Sequence, residues 1–192
     1  MINTLEKYKE KLSLRYEPMI KALELFSKHE GPLLVETGCI RMKEDWGGGM
    51  STLIFGEWCK SNGKTMFTVD IDPKNIELVK EVCVGLDIRT AICDSVKFLE
   101  DFVSPIDFLY LDSMDCPEFD DIYSPRLLSS QVHQLKEIEV AWPKLTPDSV
   151  ILLDDNDFIN GGKTKFTKMF LREHGAIEIP LTTKQQSLWQ KK

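Results

Sequence analysis

Glu36-Thr37-Gly38 closes the apolar run Leu33-Leu34-Val35 and is followed, after a short insertion, by Gly47-Gly48-Gly49-Met50-Ser51. Single acids close other apolar runs: Asp70 after Met66 to Val69, Asp94-Ser95 after Ile88 to Ile92, and Asp112 after Ile106 to Leu111. A cluster, Asp154-Asp155-Asn156-Asp157, closes Val150 to Leu153. Glycines let backbone approach a ligand, the following helix offers free N–H groups, and an acid at the tip of a second strand can hold ribose hydroxyls. The pattern predicts a site for a nucleoside-containing cofactor, although each motif taken singly also occurs in ordinary turns and helix caps.

These residues need a scaffold that brings strand ends together. Short apolar runs alternate with amphipathic segments from Pro32 onward, which predicts a parallel sheet covered by helices on both faces. The predicted strands include Thr65–Ile71, Ile88–Ile92, Ile106–Leu111 and Val150–Leu153, with Val35 in the first. The predicted helices are Ser51–Asn62, Pro73–Val84, Ser95–Asp101, Pro125–Trp142 and Lys163–His174, and Pro143–Ser149 reads as a turn. Ile177–Leu181 and Ser187–Gln190 are too close for a crossover helix and predict an antiparallel pair at the sheet edge. Upstream, Leu5–Lys28 has near-helical apolar spacing interrupted near Pro18, hence two short helices.

The order of elements and the strand-end residues resemble the class I S-adenosylmethionine-dependent methyltransferases. Within them the chain is similar to the small metal-dependent O-methyltransferases of the catechol and caffeoyl-CoA type and to related bacterial enzymes acting on sugars or natural products. The resemblance implies a Rossmann-like, doubly wound seven-stranded sheet, mostly parallel with an antiparallel last strand and preceded by N-terminal helices. It implies that Glu36, Gly38, Gly49 and Ser51 hold the methionine part of S-adenosylmethionine, that Asp70 accepts the ribose hydroxyls, and that Asp94 and Ser95 read the adenine. Asp112 lies beside the cofactor and doubles as a catalytic residue.

In that fold the fourth and fifth strands are neighbours, so Asp112, Asp155 and Asn156 converge. They are hard oxygen donors suited to Mg²⁺, Ca²⁺ or Mn²⁺, with Asp154 or Asp157 as alternatives to Asp155. Such a metal would lower the pKa of an acceptor hydroxyl. The competing reading of this cluster is a polar turn capping the next helix. Two departures from the family stand out. Cys39–Trp46 is inserted between the loop glycines, either as a surface insertion or as a flap over the sulfonium or the acceptor, with Trp46 as its apolar face and Arg41 or Lys43 reaching an acidic substrate. Asp115 stands where the family has a basic lysine, which makes His133 the candidate catalytic base.

The acceptor pocket is expected from Met114–Arg126, the insertion and the N-terminal helices, and its acids, Phe119 and Tyr123 suit a small hydroxylated molecule. At 192 residues the chain reads as one methyltransferase domain, a helical extension over 1–30 and a core over 31–192. A net charge of −7 with scattered basic residues argues against nucleic acid and anionic membrane as partners. Five cysteines without a C-x-x-C pair, and no signal-type or membrane-spanning run, suggest reduced thiols in the cytoplasm. A homodimer through the N-terminal helices is a further expectation. The competing functions are metal-free methyl transfer to an O- or N-nucleophile, a dinucleotide-binding oxidoreductase, disfavoured by the lack of G-x-G-x-x-G, and a non-catalytic binding module.

Overall fold

The computed structural model describes residues 5–47, 49–116 and 123–192. Seven strands, β1 (Leu33–Thr37), β2 (Thr65–Asp70), β3 (Ile88–Ile92), β4 (Ile106–Leu111), β5 (Leu145–Leu153), β6 (Ile177–Ile179) and β7 (Ser187–Gln190), form one sheet in the order β3-β2-β1-β4-β5-β7-β6. The first five are parallel, and β7 runs antiparallel between β5 and β6. This is the Rossmann-like methyltransferase architecture expected from the sequence.

The helices are α1 (Lys9–Leu12), α2 (Tyr16–Lys28), α3 (Ser51–Asn62), α4 (Pro73–Val82), α5 (Ser95–Asp101), α6 (Pro125–Ala141) and α7 (Lys165–Glu173). Every residue of β1 and β4 is buried, which is why both are rich in apolar residues on either face, although Glu36, Thr37 and Asp107 are buried polar members of them. Alternate residues of β4 serve opposite faces. Phe108 and Tyr110 pack with Met19, Leu23 and Phe26 of α2 and Phe55 and Trp58 of α3. Leu109 and Leu111 join Leu99 of α5, Ile138 of α6 and Leu171 of α7. Strand order reverses direction of growth between β1 and β4, so the crevice at their carboxyl ends is the favoured ligand position in such a sheet.

Two local expectations are corrected. The N-terminal helical run breaks at Ser13, whose φ is 48°, rather than at Pro18. Pro18 instead falls in the first turn of α2, where its missing N–H has no intrahelical partner to lose. The turn placed over Pro143–Ser149 is largely strand: Ile106 pairs with Leu145 and Phe108 already with Val150, so Thr146–Ser149 form a bulge. Asp148 has φ 62°, and the Ser149 hydroxyl donates to the Ile106 carbonyl at 2.9 Å. No helix among the described residues is long and apolar enough to cross a membrane.

Candidate active site

Two cavities open at the carboxyl edge of the sheet. The first, of 320 Å³, is lined by Gly38 after β1, Val69, Asp70 and Ile71 at the end of β2, Cys93, Asp94 and Ser95 after β3, Ser113 and Met114 after β4, and His133 of α6. Gly38 has φ +78°, and a Cβ there would lie 2.3 Å from the Asp112 carbonyl oxygen, so the turn requires glycine. The Asp70 carboxylate accepts from the Asp72 N–H at 2.8 Å, and Asp94 caps α5 by accepting from the Lys97 N–H at 3.0 Å. The Ser113 hydroxyl is buried with no partner among the described residues. A glycine-cradled cavity with an acid on the second strand and an orphaned hydroxyl fits S-adenosylmethionine.

Three of the residues assigned to the methionine end support the loop instead of lining this cavity. Glu36 is fully buried and accepts from the hydroxyls of Ser51 at 2.6 Å, Thr52 at 2.7 Å and Thr68 at 2.7 Å, tying β1 to the start of α3 and to β2. Gly49 packs on the backbone of Ile40 and Arg41, within 3.4 Å of where its Cβ would be. Burial pushes the Glu36 carboxyl up to about 7 against the pull of Ser51, Thr68 and Thr52. The folded chain therefore takes up this proton more readily than the unfolded chain. The resulting stability is fully present below about pH 4.5 and is lost as pH rises through about 7, on the order of 3 kcal/mol in all. Urea titrations of Glu36→Gln are expected to show a flatter stability profile between pH 4.5 and 7.5 than wild type; parallel profiles would refute this.

The second cavity, of 460 Å³, is polar and is lined by Arg41 and Asp45 of the insertion, by Gly47 just after it, by Asp112, Asp115, Cys116 and Arg126, and by Asp154, Asp155, Phe158 and Gln185. Beneath it lie two cations that the sequence reading did not single out. Arg15 is buried between α1 and α2; its guanidinium donates to the Tyr110 hydroxyl at 2.6 Å and to the Gly47 carbonyl at 2.9 Å, and it pairs with Asp154 and, at 3.4 Å, with Asp112. Lys163 is also buried, and its ammonium lies 2.6 Å from Asp112 Oδ1 and 3.1 Å from Asp155 Oδ2. Burial alone would lower the Lys163 pKa, but Asp112, Asp155 and Asp154 outweigh it and hold the amine protonated. Burial raises Asp112 and Asp155, with Lys163 opposing, whereas Arg15 and then Lys163 overcome burial at Asp154 and lower it.

This arrangement does not fit the expected divalent metal. Asp112 and Asp155 do converge, but on the Lys163 ammonium. Asn156 is engaged elsewhere: its Oδ1 accepts from Thr164 at 2.9 Å and Lys168 at 2.5 Å, and its Nδ2 donates to the Lys184 carbonyl at 2.7 Å. Of the alternative ligands, Asp154 is held by Arg15 and Tyr110, and Asp157 is exposed. No group of three or more metal-binding side chains occurs among the described residues.

His133, the candidate base, stands on the cofactor side, with Nε2 2.9 Å from the Ser95 hydroxyl and 3.7 Å from Glu137 Oε1. It lines the first cavity and not the acidic one, because its position on α6 faces α5. The insertion contributes Arg41, paired with Asp115 at 2.5 Å, while Lys43 pairs with Glu81. Trp46 packs on Tyr8 with ring centroids 5.0 Å apart, so its apolar face meets the N-terminal segment, and it is not among the residues lining either cavity. Within Met114–Arg126, residues 117–122, including Phe119, lie outside the described residues.

Sequence and structure comparisons agree with this geometry. A family model described as a methyltransferase domain matches residues 46–156, more than half of the chain. No curated protein matches it. The fold is similar to the SAH-bound methyltransferase PaMTH1 of Podospora anserina, with TM-score 0.63 and 14% identity over 99% of this chain and 83% of that one. It is similar to the N-methyltransferase NodS of Bradyrhizobium japonicum WM9, with TM-score 0.58 and 14% identity over 93% and 96% of the two chains. It is also similar to the MycE methyltransferase of the mycinamycin biosynthetic pathway, solved with Mg and SAH, with TM-score 0.61 and 13% identity over 93% of this chain and 50% of that one. With the glycine-cradled cavity and the family match in hand, the chain belongs to the methyltransferase-domain family and is an S-adenosylmethionine-dependent enzyme of class I fold.

Proposed function

We propose that this enzyme methylates a hydroxyl of a small polar molecule bound in the acidic cavity. The observation that carries the reading is the shared wall. Ser113 and Met114 face the cofactor cavity while Asp112 and Asp115, in the same four residues after β4, face the acidic one. An acceptor in the second cavity therefore lies beside the reactive end of the first, and much of the rate of a methyl transfer comes from such positioning. Bound S-adenosylmethionine supplies an electrophilic methyl on a sulfonium. One carboxylate of the Asp112–Asp155 pair accepts the hydrogen bond of the acceptor hydroxyl and takes its single proton as oxygen bonds to the methyl carbon and the C–S electron pair stays on sulfur.

The polar lining supports a hydroxylated molecule over a flat aromatic one, and the negative net charge supports a small molecule over nucleic acid. Assayed by S-adenosylhomocysteine release over a panel of sugars, hydroxylated natural-product intermediates and amines, wild type is expected to turn over a hydroxylated compound. Asp112→Asn is expected to lose about 10²–10⁴-fold in kcat while its affinity for S-adenosylhomocysteine changes by only a few fold. Turnover of amines alone, or full activity of Asp112→Asn, would refute the reading.

A further inference from the structure

We propose that Lys163 is a built-in cation standing where a divalent metal would otherwise sit, so that the Asp112–Asp155 pair is a latent metal site closed by the chain's own ammonium. The inference rests on the acidic cavity being the acceptor site. Mg²⁺ draws oxygens to about 2.0–2.1 Å and Ca²⁺ to about 2.3–2.6 Å. An ammonium 2.6 Å from one carboxylate and 3.1 Å from the other leaves no room between them for either ion.

Lys163 is not a surface side chain that happens to lean inward. It is 1% exposed, and the backbone that delivers it is fixed from two sides. A Cβ on Gly162, whose φ is +57°, would lie 1.7 Å from the Asp155 carbonyl oxygen, so only glycine lets the 155–163 loop close this tightly. The Gln131 amide of α6 donates to the Gly162 carbonyl at 2.9 Å and clamps the same point. The loop strain continues at Asp155, where φ is 54°. A resident ammonium supplies part of what a metal would: it offsets the repulsion of two buried carboxylates and fixes one oxygen of each, Oδ1 of Asp112 and Oδ2 of Asp155. Lys163 is thus a positioning residue acting through the two aspartates. It does not supply a Lewis acid, so proton removal from the acceptor falls to the carboxylates themselves.

The test is Mn²⁺ binding, followed by electron paramagnetic resonance on chelator-stripped protein saturated with S-adenosylhomocysteine, with no acceptor present. Wild type and Lys163→Arg are expected to bind no Mn²⁺ below millimolar concentration. Lys163→Met, which keeps the stem and removes the charge, is expected to bind one Mn²⁺ at least 10-fold more tightly than wild type, and to lose it again when combined with Asp155→Asn. Retained S-adenosylhomocysteine binding establishes that each variant is folded; if Lys163→Met does not fold, Lys163→Gln takes its place. Stoichiometric, Asp155-dependent Mn²⁺ binding by wild type overturns the proposal, and so does a folded, uncharged variant that binds none. Because no methyl acceptor enters the measurement, failure to find a hydroxylated substrate leaves this result unaffected, and the two claims can fail separately.

Discussion

Arg15→Ala is expected to cost about 3–5 kcal/mol of folding free energy, among the largest effects of any single substitution in this chain. The Arg15 guanidinium is 2% exposed and pairs with Asp154, whose side chain is 3% exposed. Removing it strands Asp154 beside Tyr110 and Asp112 with no cation except Lys163, and breaks the link to the Gly47 carbonyl that secures the loop before α3. A buried charge left without its partner costs far more than the pair was worth when intact. Thermal unfolding should register a fall on the order of 10 °C for a chain of this length. Asp154→Asn in the Arg15→Ala background should recover part of the loss, since an amide does not carry the stranded charge. A fall below about 1 kcal/mol, or no recovery in the double variant, would show that the cluster is solvated in solution and that Arg15 is not its counterion.

The same residue shows where sequence reading reached its limit. Strand and helix positions were legible because they depend on local periodicity. Ser51–Asn62, Ile88–Ile92 and Ser95–Asp101 occur at the boundaries that spacing and caps predict, with Asp94 capping as its residue type suggests. Asp70, Asp94, Ser95 and Asp112 were legible because strand ends in such a sheet must converge. Arg15 and Lys163 were not. Arg15 meets Asp154 across 139 positions and Lys163 meets Asp112 across 51. Neither lies at a strand tip, and a basic residue in an amphipathic or loop segment is ordinarily solvated. One signal was available: Gly161-Gly162 directly before Lys163 marks a backbone bending tightly, hence a side chain placed with unusual constraint. The placement of His133 was hidden for a different reason. Its residue type suited a base, but only the packing of α6 against α5 determines which cavity it faces.

Gly38→Ala is expected to abolish cofactor binding, with affinity for S-adenosylhomocysteine falling at least about 100-fold, or about 2.7 kcal/mol. Two costs combine at this position. An L-residue at φ +78° carries about 1–2 kcal/mol of strain, and the added methyl would sit 2.3 Å from the Asp112 carbonyl oxygen and 3.0 Å from the Ser113 Cα, which are backbone atoms that cannot swing aside. Relief requires β1 and β4 to part at their tips, and those tips are the wall between the two cavities. Gly63, the residue closing α3, provides the control. Its φ is +64°, yet nothing lies within 4 Å of its Cβ position, so Gly63→Ala should lose about 1 kcal/mol of stability and bind S-adenosylhomocysteine as wild type does. Calorimetric titration of both variants separates backbone strain from steric collision. Equal affinities in the two would mean that the close approach of Gly38 to Asp112 is not what shapes the cofactor cavity. A loss confined to Gly38→Ala would tie cofactor binding and the placement of Asp112 to a single contact between two strand ends.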